Sequence, residues 1–179
     1  SISGNEGLVR SIHFPRAVLP LAVVGKQLRV FYYALPIMII ILLVTGEPVT
    51  WQWLLAPVAL LLIVLFSVGM ALIMARIVAT VRDISEVLPY FLRVWGYMSG
   101  VMIPIADRLE RLGVPDWATF IIEINPGTVF LNCMRDALMD SYFSPGGWIN
   151  WALAVAWTLI ILPFGVWFFW RAEAEYGRG

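Results

Sequence analysis

Apolar residues in this chain gather into four long blocks joined by short polar links, the arrangement expected of helices that cross a bilayer. The start, Ser1–Ile12, is polar and turn-rich, with Asn5 placed to cap a short helix. His13-Phe14-Pro15-Arg16 then breaks that helix, because a residue before proline is pushed out of helical geometry. Pro15 suits the first turn of a new helix, which passes Lys26 and Arg29 and continues through the uncharged Val30–Thr45. Gly46–Thr50 reads as a turn, and Trp51–Ala75 follows with no charge over twenty-five residues. After the polar link Arg76–Glu86 comes Val87–Ile105, nineteen residues with one charge, Arg93. At about 1.5 Å of rise per residue this is just long enough to cross a hydrocarbon core of about 30 Å. Trp148–Trp170 is again uncharged, with tryptophans at both ends as in an aromatic belt. Helical spans are therefore expected at 17–45, 51–75, 84–105 and 148–170.

The span 84–105 has two unlike faces when wound at 3.6 residues per turn. Glu86, Tyr90, Arg93, Tyr97, Gly100 and Pro104 share one side; Phe91, Trp95, Met98 and Met102 share the other. The polar side is expected to face other helices or a wet path rather than lipid. Arg93 has two readings: a conduit residue that binds phosphate or sugar hydroxyls, since charge inside a membrane is costly and usually functional, or a side chain that snorkels to the inner headgroups. Tyr90 and Tyr97 flank it; their rings can stack on sugar faces, or simply satisfy a neighbour at an interface. Gly96 and Gly100 form a GxxxG, a common pattern that permits close helix approach.

Residues 106–147 break the pattern. Asp107–Leu112 reads as a surface-lying polar turn, while Trp117–Ile124 and Gly127–Leu138 are apolar but too short to cross. Asn125-Pro126 between them is a strong helix start, Asn as cap and Pro as first helical residue. Two short apolar helices meeting at a polar turn predict a re-entrant hairpin. Such backbone survives at membrane depth only beside protein or a water-filled cavity, which favours transporter or channel architecture. Glu123 either lines this feature or serves to cap or to pair with Arg135.

Composition agrees with the pattern. Hydrophobic residues are 61% of the chain and charged residues 13%, against roughly 45–50% and about 25% in soluble domains, so the class is integral membrane. The zero net charge carries no information about partners. The placement of charge does. With four crossings, Arg10, Arg16, Lys26, Arg29, Arg76, Arg82, Arg171 and Arg178 lie on one side; Arg108, Arg111 and Arg135 lie on the other. By the positive-inside rule both termini are expected in the cytoplasm and residues 106–147 outside. Cys133, the single cysteine, excludes an internal disulfide, and His13 has no cluster of carboxylates or thiols that would make it a ligand or base. No catalytic motif or metal-ligand spacing appears, and Gly25-Lys26 is not a phosphate-cradling loop.

The ordered set Asn5, Leu8-Val9-Arg10, Phe14-Pro15-Arg16 and Leu19-Pro20, two spans, Val81-Arg82-Asp83, a span ending near Pro104, Asn125-Pro126 and a last span resembles the permease subunits of ABC-2-type exporters. The likeness is greatest to those that move lipid-linked polysaccharides such as O-antigen, teichoic acid or capsule. It covers essentially the whole chain, and rests on the order of the pieces rather than on any one of them. Such permeases usually carry an interface helix and two further spans ahead of this point, so the chain is expected to correspond to the C-terminal two-thirds of one. The resemblance implies a multi-pass protein of the cytoplasmic membrane that forms a homodimer and docks through residues 1–16, with Arg10, Phe14, Pro15 and Arg16, on a separate ABC ATPase subunit. Taken without the resemblance, Phe14-Pro15-Arg16 also fits an interfacial loop with a basic anchor. The resemblance further implies a substrate path along Tyr90, Arg93 and Tyr97, an outer turn at Glu123, Asn125 and Pro126, and a polyprenyl-linked glycan as cargo. ATP and Mg would sit on the partner; this chain is expected to hold no cofactor or metal and to bind no nucleic acid.

Three rivals remain in view. One is an exporter of drugs or lipids with the same fold. Another is a membrane enzyme acting on lipid-linked sugars through Asp107, Asp116, Glu123 or Asp140, although these acids show no spacing that marks a site. The third is a non-transporting scaffold.

Overall fold

A computed structural model describes residues 18–81, 83–100, 115–139 and 147–176, and every regular element among them is helical. In chain order these are α1 (Val18–Val44), a 3-10 turn (Trp51–Leu55), α2 (Ala56–Thr80), α3 (Ile84–Met98), α4 (Asp116–Ile124), α5 (Pro126–Leu138) and α6 (Trp148–Tyr176). The coupling residues Arg10, Phe14, Pro15 and Arg16 lie outside the described residues, as do Asp107 and Asp140.

Three of these helices are long and apolar enough to cross a membrane: Val18–Val44, Trp51–Thr80 and Trp148–Arg171. The fourth expected span is not among them. Its helix, α3, stops at Met98 after 15 residues, about 22 Å at the usual rise and short of a bilayer core of about 30 Å. The stop has a local cause. Ser99 donates its hydroxyl to the Trp95 carbonyl at 2.8 Å. Gly100 takes a left-handed φ of +72°, which a residue with a Cβ adopts only under strain. Of the Gly96/Gly100 pair, Gly100 lies beyond the helix, and a Cβ on Gly96 would meet open space within this chain. At the other end of the chain the helix outruns expectation: α6 continues past Trp170 to Tyr176.

Backbone ends are closed locally elsewhere too. Beyond α1, Gly46 at φ +82° lets its own N–H reach Leu43 O and the Glu47 N–H reach Leu42 O, while Thr45 Oγ1 donates to Leu42 O at 2.9 Å. This is the paired closure of a Schellman turn, and it satisfies carbonyls that would otherwise be stranded in an apolar setting.

The central pair is α2 with α6, and they run parallel. Thr158 Oγ1 donates to its own helix at Ala154 O, 2.8 Å, and lies 3.4 Å from Leu62 O. Further along, Gly69 abuts Ile161 and Leu162, and Gly165 abuts Gly69. Near the end, Arg76 donates to Phe168 O and its guanidinium lies 4.1 Å from the Phe168 ring centre, a cation–π contact. That pairing explains why α2 passes beyond the uncharged run and includes Arg76. Residues without side-chain bulk at 69 and 165 bring the two backbones together, the device that packs helices in lipid, where burial of apolar surface supplies little drive.

α5 lies antiparallel to α2: Phe130 packs on Phe66 with ring centres 4.9 Å apart, and Ala137 and Leu138 reach Trp53, Leu55 and Ala56. Ala59, Phe66, Val129, Phe130, Cys133 and Ala154 form the core where α2, α5 and α6 meet. α1 keeps most of its length exposed, including Tyr32, Tyr33, Ile37 and Ile40, with Pro20 and Leu42 buried and Leu42 joining the cluster at the start of α2. Such continuous apolar exposure is tolerated in lipid and not in water.

Candidate transport site

α3 is the element on which the sequence placed the substrate path. Its first turn carries Glu86, favourable at a helix amino end, and Pro89 sits inside it. Tyr90, Arg93 and Tyr97, at spacings of three and four, share one face and are exposed. The face is therefore an aromatic pair with a cation between its members. It presents flat π surfaces, hydroxyls and one fork of five donors to whatever lies beside it, a set suited to sugars and phosphates. Along the helix base, Val87, Leu88 and Phe91 face Met74 and Ile77 of α2 across an apolar cleft of about 370 Å³, with Asp83 at its end. α3 carries no buried residue from Ile84 to Met98.

Its far end is held differently. Asn125, between α4 and α5, places Oδ1 3.0 Å from the Gly127 N–H, capping α5 as the Asn-Pro pair predicts. The same oxygen accepts from Trp95 Nε1 at 2.8 Å, tying α3 to the turn. Arg135, one turn from the end of α5, donates to Gly100 O at 3.2 Å and so closes the carboxyl end of α3. Ser99 is buried against Gly127, where an added Cβ would overlap its hydroxyl. On the other flank Trp157 of α6 donates to Ile124 O at 2.9 Å. A broken backbone in an apolar setting leaves polar groups that cost several kcal/mol each if unpaired. Here the Trp157 indole, the Asn125 amide oxygen and the Arg135 guanidinium answer three of them, and the Trp95 indole fixes the Asn125 side chain in place.

The structure thus brings together residues the sequence reading had kept apart. Asn125 and Pro126 are at the turn; Glu123 is exposed beside it. The sequence places Trp95 on the apolar face and Arg135 among the outer charges or beside Glu123, and it gives no role to Ser99, Gly127 or Trp157. The i, i+4 bond of Ser99 and the small Gly127 after Asn-Pro were legible signals; the indole donors were not, because indoles in a membrane span most often mark its ends. Of the rival catalytic acids Glu123 alone has a described side chain, and it is exposed; among the described residues no group of His, Cys, Asp and Glu is arranged to hold a metal.

Cys133 is fully buried in the α5 core. Maleimide is expected to leave it unlabelled in folded protein and to label it fully after denaturation, read by mass spectrometry; fast labelling in the folded state would contradict the packing of α5.

Residues 2–139 match the family described as ABC-2 type transporter. The chain is 31% identical over 106 residues to the O-antigen export system permease protein RfbA of Myxococcus xanthus, a stretch equal to 59% of this chain and 41% of that protein. The match thus spans less than half of that relative's length. No solved structure matches the chain significantly. The family match runs from ahead of α1 to just past the end of α5, over most of the chain's length, and the chain belongs to the ABC-2 type transporter family.

Proposed function

We propose that this chain is a membrane-spanning subunit of an exporter driven by ATP on separate ABC ATPase subunits, and that it moves a lipid-linked polysaccharide across the cytoplasmic membrane as one of two copies. The observation that carries the reading is the exposed Tyr90–Arg93–Tyr97 face of α3, which ends at a polar junction among apolar helices. The export role of the Myxococcus relative supports the cargo class.

The proposed topology counts four crossings. Because α2 and α6 run parallel, the chain has to return between them, and we assign that return to the span at 84–105 that begins with α3. The turn at Asn125 meets Trp157, nine residues into α6 from Trp148, a depth of about 14 Å in a core of about 30 Å. We therefore take α4 and α5 as a re-entrant pair dipping from the outer face. Lys26 and Arg29, Arg76 and Arg171 fall toward one end of the three long helices, and Trp51 and Trp148 toward the other. The basic end is the cytoplasmic one in this reading, with both termini on that side.

The test is the complex of this subunit with its ATPase in proteoliposomes, supplied with polyprenyl-linked glycan. Arg93→Ala is expected to lower export roughly tenfold, the worth of one charge-assisted hydrogen bond, without loss of the assembled complex. Phe14→Ala with Arg16→Ala should leave ATP hydrolysis running but no longer stimulated by substrate. Full export by Arg93→Ala would remove α3 from the path. Export of small amphiphiles but of no glycan would move the chain to the drug or lipid branch.

A further inference from the structure

We infer that the cleft between α2 and α3 is a binding site for one phospholipid with an amine headgroup, its hydrocarbon tail between the helices and its ammonium at Asp83. The inference goes beyond export and does not depend on the cargo. The cleft measures about 370 Å³ and is lined by Met74 and Ile77 of α2 and by Ile84, Val87, Leu88 and Phe91 of α3. That volume is near the lower end of ligand pockets, about 300–1,000 Å³, and it suits a single tail. Apart from Asp83 every lining side chain is apolar, so sugar hydroxyls or a phosphate placed between the helices would lose their hydrogen bonds to water and gain none. Hydrocarbon loses nothing there, and it restores the dispersion contacts that atoms lining a gap forfeit.

The cleft also has a direction. α2 ends at Thr80 and α3 turns back from Ile84, so Asp83 stands at the headgroup end, while Phe91 lies two turns into α3, about 10 Å deeper. That is a lipid's own order, polar at the link and apolar toward the midplane. Charge at the mouth decides which head it takes. Asp83 is exposed, Glu86 is exposed three residues on, and neither forms an ion pair among the described residues. Arg76, near the end of α2, is committed to the carbonyl and ring of Phe168 on α6; Arg82, beside Asp83 in sequence, lies outside the described residues. Two carboxylates attract an ammonium and repel a headgroup whose only charge is negative, the diphosphate of a prenyl-linked glycan included. Phosphatidylethanolamine meets both conditions, tail and head.

Photocrosslinking tests the site in the full-length subunit complexed with its ATPase, in nanodiscs of equal parts phosphatidylethanolamine and phosphatidylglycerol with the same tails. Both leaflets then offer the same lipids, so the result does not hang on which end is cytoplasmic. Benzoylphenylalanine in place of Phe91 should capture phosphatidylethanolamine over phosphatidylglycerol roughly fivefold, about what one charge contributes at a membrane surface. The same probe in place of Phe164, exposed on α6, should capture the two equally. Asp83→Asn should abolish the preference at Phe91 and Asp83→Lys reverse it; the side chain is exposed, so neither change disturbs packing. Equal capture of the two lipids at Phe91 in the otherwise wild-type complex, or a preference that survives Asp83→Lys, overturns the site. So does capture at Phe91 of a peptide from residues 1–17, from a second copy or from the ATPase, or of a polyprenyl-linked glycan added to the discs, because each names another occupant. A complex that exports no glycan removes the functional reading above and leaves this comparison intact.

Discussion

Leucine in place of Gly69 is expected to remove the folded subunit from the membrane. A Cβ at this position would lie 2.7 Å from the carbonyl oxygen of Ile161 and 2.8 Å from both its carbon and the Cα of Leu162. Those are backbone atoms, so no rotamer change relieves the overlap; α6 itself would have to move. Overpacking a tight core by a methyl group or two costs about 1–3 kcal/mol, and leucine adds far more volume at a place where the α2 and α6 backbones meet. Against a total stability of about 5–15 kcal/mol this is a large fraction. Gly165, which faces Gly69 from α6, should behave alike. Gly96→Ala is the control: nothing lies within 4 Å of its built Cβ, and alanine gains about 1 kcal/mol of helix propensity over glycine. Fluorescence-detected size exclusion of detergent extracts reads all three. A monodisperse Gly69→Leu peak at wild-type height would mean that the α2–α6 crossing is not as close as described.

The second large effect is expected at Asn125. Its side-chain oxygen serves two donors, the Gly127 amide at 3.0 Å and the Trp95 indole at 2.8 Å. Asn125→Ala removes a helix cap, at about 1 kcal/mol, and strands a partly buried indole N–H, at about 1–3 kcal/mol. The sum, roughly 2–4 kcal/mol, should appear as a lowered melting temperature of the purified subunit. Asn125→Asp keeps the acceptor and places its charge at a helix amino end, so it should recover part of the loss. An alanine variant that melts with wild type would show that the junction contributes nothing net. Because Trp95→Phe loses the indole donor but spares the cap, it should cost less than Asn125→Ala, and the two together should cost little more than Asn125→Ala alone.

The predictions at Gly69 and Asn125 differ in how far the chain announces them. Asn125 followed by Pro126 is a local signal: a capping side chain and a residue with a preset φ stand next to each other, and the helix start they predict is the one observed. Gly69 gives no such notice. It is one glycine inside an uncharged run, and only the approach of Ile161 makes its missing side chain a requirement. The GxxxG that does stand out, Gly96 with Gly100, has no part in helix packing within the described chain, because Gly100 is spent on ending α3.

By itself the sequence determined the solvent, the secondary structure and the rough positions of the three long helices. Runs of uncharged residues and tryptophans at their ends depend only on local composition, and the bilayer imposes helix on any such run by leaving the backbone no other partner. It also set the shared face of Tyr90, Arg93 and Tyr97, since 3.6 residues per turn is a property of the helix and not of its surroundings. The tertiary structure decided where α3 ends, which glycines touch, and what meets Asn125. The sequence shows no interruption at Ser99 and Gly100, because hydropathy has no term for a carbonyl that Arg135 caps from another helix or for an indole bonded across a break. Such partners come from far along the chain, and a polar group becomes tolerable at depth only once its partner has arrived.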